Sequence, residues 1–149
     1  MPKASVKRLI ECKKKQLIKL VLDIEKYPQF VPFCLEAHIY EKKEQENFIL
    51  IIADLTIGKG PIKDTYKSEV RYNKKNNFIN VTNIGGPLKH LENNWNFIDI
   101  DGFTEVYFDI DFEIENKFLN IVMAKSFQFG LDKIADAFQK RAKFLFNDS

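Results

Sequence analysis

The sequence predicts an α+β fold in which one long C-terminal helix packs on a curved antiparallel sheet. Apolar and polar residues alternate with a period of two through the middle of the chain, which is typical of half-solvated strands. An Asp101-Gly102 step joins two of these alternating segments as a hairpin turn. From residue 116 to residue 146 the apolar period becomes that of a helix. The 149 residues are expected to form a single domain over residues 1–149.

A strand and a helix are predicted at the start of the chain, over residues 5–12 and 14–25. The apolar residues of the strand are Val6, Leu9 and Ile10. The helix has one apolar face with helical spacing, made of Leu17, Leu20, Val21 and Ile24. Because a proline disfavours the α conformation in the residue before it, Tyr27-Pro28 is expected to end the helix.

The chain should form about six or seven strands, most of them joined by hairpins. Residues 61–72 carry a wholly polar face opposite an apolar one, as does a strand with one face in solvent. Residues 106–114 alternate in the same way, with acidic residues on the solvent face. Residues 48–57 are apolar on both faces, which predicts that both faces are covered or that one lines a cavity. Within that segment Asp54 is expected to point outward, because burying an unpaired charge is costly.

Asn116 is the expected N-cap of the long helix. The apolar residues of this helix step by three or four positions and form a stripe of about eight turns. The stripe consists of Leu119, Met123, Phe127, Leu131, Ile134, Phe138, Ala142 and Leu145. In the first half it is widened by Ile121, Val122, Ala124 and Phe129. A helix with wider apolar coverage at one end is expected to have two neighbours there, such as the sheet and a loop.

Composition narrows the function classes. The chain has 14 phenylalanines and 1 tryptophan, which predicts a thick core or an apolar pocket. Cys12 and Cys34 have neither metal nor redox spacing and favour a reduced, cytoplasmic compartment, while a single disulfide between them stays open. Neither a signal peptide nor a membrane-spanning stretch is expected. The net charge of +2 is small for a nucleic-acid binder, so DNA is not an expected partner.

The sequence predicts no catalytic or metal site. His38 and His90 fall in separate strands and lack the spacing of metal ligands. Neither a nucleophile elbow nor a Walker phosphate loop occurs. The protein is therefore expected to carry out no reaction and to require no cofactor.

Four segments follow one another in the order that one protein family shows. They are residues 27–34 (YPQFVPFC), residues 86–91 (GPLKHL) with Trp95-Asn96-Phe97, residues 106–117, and residues 137–142 (AFQKRA). Over essentially its whole length the chain resembles the coenzyme-Q-binding START-type family, whose bacterial members are also called oligoketide cyclase/lipid transport proteins. The resemblance implies a helix-grip fold, in which the curved sheet grips the long helix and short helices follow the first strand.

The resemblance also implies a ligand. It would be ubiquinone or a similar polyprenyl or lipid molecule, held in an apolar cavity between sheet and helix. The protein would then act as a carrier or chaperone that supports respiratory electron transport, in the cytoplasm, with peripheral contact at the inner membrane left open. The candidate ligand-binding residues are Phe30, Trp95, Phe97, Phe108, Ile110, Phe112, Met123, Phe127 and Phe138.

A proline-stiffened loop supplies a candidate gate to this cavity. Its residues are Tyr27, Pro28, Val31, Pro32 and Phe33. Two interpretations stay open here. The rings pack on the core and staple the first helix, or they close over a ligand and touch a membrane interface.

Two other function classes also stay open. One family member is a ribosome association toxin, so the large ribosomal subunit is an alternative partner. The basic residues that would contact RNA or lipid headgroups are Lys13, Lys14, Lys15, Lys140, Arg141 and Lys143. Where the family usually has a small or polar residue opening the first helix, this chain has lysines, for which a solvated helix start is the alternative explanation. The second class is a polyketide cyclase or aromatase, which would need acid or base groups inside the cavity.

Overall fold

A computed structural model describes residues 3–59, 62–86, 88–114 and 117–146 of the chain, and at residues 59, 62, 88, 114 and 117–127 it describes the backbone alone. The elements in chain order are β1 (Lys3–Ile10), α1 (Lys14–Leu22), a 3-10 helix (Ile24–Gln29), β2 (Cys34–Glu44), β3 (Phe48–Lys59), β4 (Ile62–Asn73), β5 (Phe78–Gly85), β6 (Leu88–Ile100), β7 (Phe103–Ile114) and α2 (Lys117–Phe146).

The strands form one 7-stranded sheet in the order β1-β7-β6-β5-β4-β3-β2, and all neighbours are antiparallel. Strands β2 to β7 make a meander of successive hairpins, and β1 pairs with β7, the last strand. Helices α1 and α2 cover one side of the sheet, called the inner face below. The predicted α+β fold, with a long C-terminal helix against an antiparallel sheet and short helices after the first strand, is confirmed.

The Asp101-Gly102 hairpin is confirmed in detail. Both residues have positive φ, 44° and 85°, which is the signature of a type I′ turn. The turn is flanked by the cross-strand pair Ile100 and Phe103. Aspartate tolerates the left-handed conformation better than most residues, and glycine adopts it without a steric penalty.

The predicted boundaries at the start of the chain are wrong by a few residues. β1 ends at Ile10 instead of residue 12, and the Cys12 amide bonds back to the Ile10 carbonyl oxygen at 2.9 Å. α1 ends at Leu22 instead of residue 25, because Asp23 leaves the helical conformation with φ −84° and ψ 64°. The Tyr27-Pro28 step therefore does not end α1, and Pro28 lies inside the 3-10 helix that follows.

The apolar residues on both faces of strand β3 are covered in two different ways. Ile49, Ile51 and Ala53 are buried on the inner face. On the outer face Ile52 is half-buried between Glu41 of β2 and Glu69 of β4. Long charged side chains cover part of an apolar neighbour with their aliphatic stems, so the outer face needs no further layer.

Helix α2 packs against β1, β7 and α1. Its buried side chains in the described part are Leu131, Ala135, Phe138 and Ala142. The predicted placement of Leu145 and Phe129 is wrong, since they are 46% and 63% exposed. Ala142 is followed on the same face by Phe146, four positions later, and Phe129 lies on the far side of the helix from Leu131. The predicted residues Leu119, Ile121, Val122, Met123, Ala124 and Phe127 lie outside the described side chains, and Asn116 lies outside the described residues. No described helix has the length and apolar character needed to cross a membrane.

Candidate functional site

Five of the predicted ligand-binding residues meet in one aromatic cluster. Trp95 stacks on Phe108 with ring centroids 4.3 Å apart, and Phe97 lies parallel to it at 6.3 Å. Phe138 of α2 meets Trp95 edge-on at 5.2 Å and Phe30 at 5.1 Å. The cluster is a sealed part of the core, because four of its members are at most 6% exposed: Trp95, Phe97, Phe108 and Phe138. Their contact with a ligand stays a prediction.

The remaining predicted lining residues differ in their exposure, and two of them are not described. Phe112 is 4% exposed, and Ile110 on the same face of β7 keeps part of its surface accessible. Met123 and Phe127 lie outside the described side chains.

A second region of the inner face, called the open band below, is more accessible than the aromatic cluster. On each strand it begins two residues past the last sealed residue, on the same face. These pairs are Ala53 and Leu55 on β3, Ser68 and Tyr66 on β4, and Ile79 and Val81 on β5. The open band comprises Ala37, Leu55, Tyr66, Val81, Asn93 and Ile110, all of them partly buried. Ala37, Leu55, Val81 and Ile110 pack against the buried core and still keep accessible surface on the inner face.

The position of α2 explains why the open band is not sealed. The helix contacts β1 and β7, at one end of the strand order, whereas Leu55 and Tyr66 lie on β3 and β4 towards the other end. Neighbouring strands are about 4.8 Å apart, so β4 is roughly three strand spacings from β7. Leu55 and Val81 are lining candidates that were not predicted from the sequence, although the alternation along β3 and β5 places them on the inner face.

Polar groups near the aromatic cluster are held by hydrogen bonds. The Trp95 indole Nε1 donates to the Asn93 Oδ1 at 2.8 Å, and Asn93 Nδ2 donates to the Asp109 carbonyl oxygen at 2.7 Å. Thr104, which is fully buried, donates to the Cys12 carbonyl oxygen at 2.8 Å. The interior is thus mainly apolar, and the polar groups named here are satisfied within the protein.

The candidate gate packs on the core at its start, as the first interpretation expects, and its closure over a ligand stays a prediction. Tyr27 and Phe30 pack on Phe138, at 5.5 and 5.1 Å between ring centroids, and the Tyr27 hydroxyl donates to the Val21 carbonyl oxygen. Phe33, in contrast, is 43% exposed and has a positive φ of 68°. The gate is therefore anchored on the core at its start and reaches solvent at its end.

A surface groove of about 780 Å³ runs between the gate and the second half of α2. Pro28, Phe30, Val31 and Pro32 form one wall, and Lys133, Ala137, Lys140, Arg141 and Phe144 form the other. Its size lies within the range of small-molecule sites.

Arg141 joins the two walls of the groove. Its guanidinium carbon lies 5.3 Å from the Phe30 ring centroid and 5.4 Å from that of Phe144, and its Nη2 donates to Gln29 Oε1 at 2.9 Å. Within the described part of the chain, its buried Nε has no hydrogen-bond partner. The guanidinium therefore holds the gate to α2 by stacking and by one hydrogen bond.

Replacing Arg141 with alanine is expected to loosen the gate. Amide hydrogen exchange of residues 27–33 should accelerate, because the stacking on Phe30 and the bond to Gln29 are lost, while exchange in β3 and β4 stays unchanged. Lys143→Ala removes an exposed charge from the same helix and serves as the control. Equal exchange of residues 27–33 in both variants would contradict the clamping role.

The predicted basic surface falls into two groups on different elements. Lys13 and Lys15 are exposed at the start of α1, and Lys14 between them pairs with Asp99 at 3.1 Å. Lys140 and Lys143 are exposed on α2. RNA binding by these residues stays a prediction.

The titratable groups considered for catalysis lie at the outer face or in the core. Asp54 points outward as expected and accepts a hydrogen bond from Tyr40 at 2.6 Å, which together with the carboxylate charge raises the pKa of this tyrosine. His38 and His90 each lie near one carboxylate, at 3.5 and 3.7 Å. Burial raises the pKa of Cys12 and of Cys34 to about 11, so both thiols are protonated and unreactive at neutral pH.

The comparisons with known proteins agree with this architecture. The family model described as polyketide cyclase / dehydrase and lipid transport matches residues 10–139. A START superfamily protein from Mycobacterium smegmatis has the same fold, with a TM-score of 0.80 and 18% identity over 96% of this chain and 98% of that chain.

Two relatives are similar in sequence over most of this chain. The ribosome association toxin RatA from Rickettsia prowazekii is 33% identical over 139 residues, which cover 91% of this chain and 92% of that protein. The mitochondrial coenzyme Q-binding protein COQ10 from Dictyostelium discoideum is 31% identical over 137 residues, which cover 90% of this chain and 65% of that protein. A match over residues 10–139 and the START helix-grip fold together establish that the chain belongs to the polyketide cyclase/dehydrase and lipid transport family.

Proposed function

We propose that this protein binds ubiquinone or a similar polyprenyl lipid between its sheet and α2, and that it acts as a carrier or chaperone in support of respiratory electron transport. The observation that carries the proposal is the open band, where Leu55, Val81 and Ile110 face inward and keep accessible surface. The neighbouring inward-facing residues Ile51 and Ile79 on the same strands are, in contrast, sealed at 0% exposure. An isoprenoid chain is a ligand that such a surface would hold.

Two further features support a lipid carrier. The groove beside the gate reaches the edge of the aromatic cluster, since Phe30 lies both on its wall and in that cluster. The similarity to a coenzyme Q-binding protein, 31% over 137 residues, favours a quinone among the lipids. The names of both relatives describe binding or association, which favours a binding protein over an enzyme.

The test is native mass spectrometry, with lipid extraction, on the protein purified from its own host. Stoichiometric ubiquinone or another polyprenyl lipid is the expected result. Val81→Phe should lower the lipid occupancy several-fold, because the larger ring fills the open band. Thr82→Phe adds the same ring to the opposite face of β5 and should leave the occupancy unchanged. Protein that is empty under all conditions, or equal occupancy in both variants, would contradict the proposal.

Binding to the large ribosomal subunit is a second candidate function. One face of α2 presents Phe129, Lys133, Lys140 and Phe144, and both phenylalanines are 63% exposed. Lys133 lies 4.7 Å over the Phe129 ring. Such a mixture of cations and rings suits RNA, and the similarity to a ribosome association toxin favours it. Co-sedimentation with purified large subunits that falls steeply between low and high salt, and falls further in Lys140→Glu, would support this function over the lipid carrier.

The cyclase class has less support from the described residues. It would need an acid or base inside the cavity, and the Tyr–Asp pair that the structure does contain, Tyr40 with Asp54, lies on the outer face.

A further inference from the structure

Tyr66 is the tyrosine of the open band. On β4 the inner-face residues Val70 and Ser68 are 5% and 1% exposed, and Tyr66, two positions further along, lies on the same face. Its cross-strand neighbour on β3 is Leu55, which is followed on β2 by Ala37. A phenol ring therefore stands among aliphatic side chains at the border of the accessible space.

Within the described residues three of the five tyrosines donate a hydrogen bond, whereas Tyr66 and the exposed Tyr107 do not. Tyr27 donates to the Val21 carbonyl oxygen, Tyr40 donates to Asp54 at 2.6 Å, and Tyr72 donates to the Asn77 amide oxygen at 3.2 Å. Among the described residues, nothing accepts or donates a hydrogen bond at the Tyr66 hydroxyl. The Tyr66 hydroxyl is not among the fully buried atoms without a partner, so it reaches accessible space and is open to water or a ligand.

The surroundings of Tyr66 define which ligand group would suit it. Burial raises the pKa of Tyr66, and the nearby Cys34 raises it further, so the hydroxyl stays protonated and can donate. Leu55 and Ala37 beside it carry no charge, and the pKa of Cys34 is itself raised by burial, which keeps that thiol neutral. These described neighbours include no cation that would pair with a carboxylate or phosphate desolvated here. A neutral acceptor such as a carbonyl oxygen would not carry that cost.

The backbone fixes the position of Tyr66. Gly86, with φ +106°, packs directly on it: a Cβ at residue 86 would lie 2.8 Å from the Tyr66 Cα. Tyr27, at the start of the gate, is close enough for Tyr66 and Cys34 to raise its pKa beyond the effect of burial. The backbone of Tyr66 is thus confined near the gate, which limits where its phenol can lie, as a preorganised donor requires.

We propose that the Tyr66 hydroxyl anchors the polar head of the bound lipid by donating a hydrogen bond to a neutral carbonyl oxygen near the gate. This inference rests on the proposed lipid-binding function and narrows the ligand to lipids whose head carries an uncharged carbonyl, the quinones among them. The apolar tail would lie along the rest of the open band.

The test compares the binding of two probes, one with carbonyl oxygens and one without. Titration calorimetry is carried out with decylubiquinone and with decylbenzene, which has a similar tail and no oxygen. Tyr66→Phe should weaken decylubiquinone binding about five- to tenfold, the effect of one lost hydrogen bond, and leave decylbenzene binding unchanged. Tyr40→Phe removes an outward hydroxyl and should change neither affinity.

The outcomes separate this inference from the proposed function. Wild-type protein that binds neither probe would overturn both. If wild-type protein and Tyr66→Phe bind decylubiquinone with equal affinity, the anchor alone is overturned. An equal loss of affinity for both probes in Tyr66→Phe would also overturn it, because that result would indicate packing of the ring. The unliganded protein gives a second readout. Tyr66→Phe should unfold at the same or a higher urea concentration, whereas Tyr72→Phe, which loses its bond to Asn77, should unfold at a lower one.

Discussion

Replacing Phe138 with alanine is expected to lower the free energy of unfolding by about 3 to 5 kcal/mol, the range for a large buried ring. Phe138 is 4% exposed and meets the rings of Tyr27, Phe30 and Trp95 at 5.1 to 5.5 Å. Its removal leaves a cavity where α2, the gate and the sheet meet. Edge-to-face contacts with these neighbours would be lost in addition to the buried apolar area.

The measurement is urea unfolding followed by the fluorescence of Trp95, the single tryptophan of the chain. Since Phe138 covers this indole, the emission of the folded variant should also shift to longer wavelength. Phe144→Ala is the matched control on the same helix, because Phe144 is 63% exposed and its loss should cost about 0.5 kcal/mol or less. A comparable decrease in the free energy of unfolding of both variants would show that Phe138 does not stabilise the fold through the aromatic cluster.

Replacing Gly86 with alanine should cost about 3 kcal/mol or more. A side chain at φ +106° is strained, and the added Cβ would lie 2.8 Å from the Tyr66 Cα and 2.9 Å from the Thr65 carbonyl oxygen. Both contacts are with backbone atoms, which cannot rotate away. Strand β4 must shift to make room, so the ring of Tyr66 should move as well.

Gly130→Ala is the control for this substitution. Nothing lies within 4 Å of a Cβ at Gly130, and its backbone is helical. Alanine there should raise the free energy of unfolding by about 0.5 to 1 kcal/mol, because it restricts the unfolded chain and favours the helix. Thermal unfolding of both variants is the measurement, and the midpoint temperature should fall for Gly86→Ala and rise for Gly130→Ala. If Gly86→Ala also stabilised the protein, the close approach of the backbone to Tyr66 would be refuted.

Much of the fold could be predicted from local patterns. Strands β4 and β7 have one solvated face, so alternation reveals them, and Asp101-Gly102 supplies the backbone conformation that a tight hairpin needs. The end of α1 was not predictable in this way, since Asp23 breaks the helix without a proline or glycine. The end of the α2 stripe was ambiguous for another reason: Leu145 and Phe146 are both apolar, and only packing decides which of them faces the core.

The candidate site was less predictable than the fold. Sequence patterns placed Trp95, Phe108 and Phe138 on interior faces, but they do not show whether such residues seal a core or border a space. That distinction depends on which strands α2 contacts, and these contacts join residues far apart in the chain. For the same reason the alternation placed Tyr66 on the apolar face of its strand but could not show that its hydroxyl lacks a partner.

The pairing of β1 with β7 has a consequence for how the protein is made. Ile10 pairs with Thr104 and Lys3 with Asp111, and Arg8 reaches Asp136 of α2 at 2.5 Å. During synthesis the first strand therefore has no partner until more than two thirds of the chain has left the ribosome, and the meander shows its apolar face until α2 follows. Contacts between such distant segments form slowly. The nascent protein should depend on chaperones during this interval.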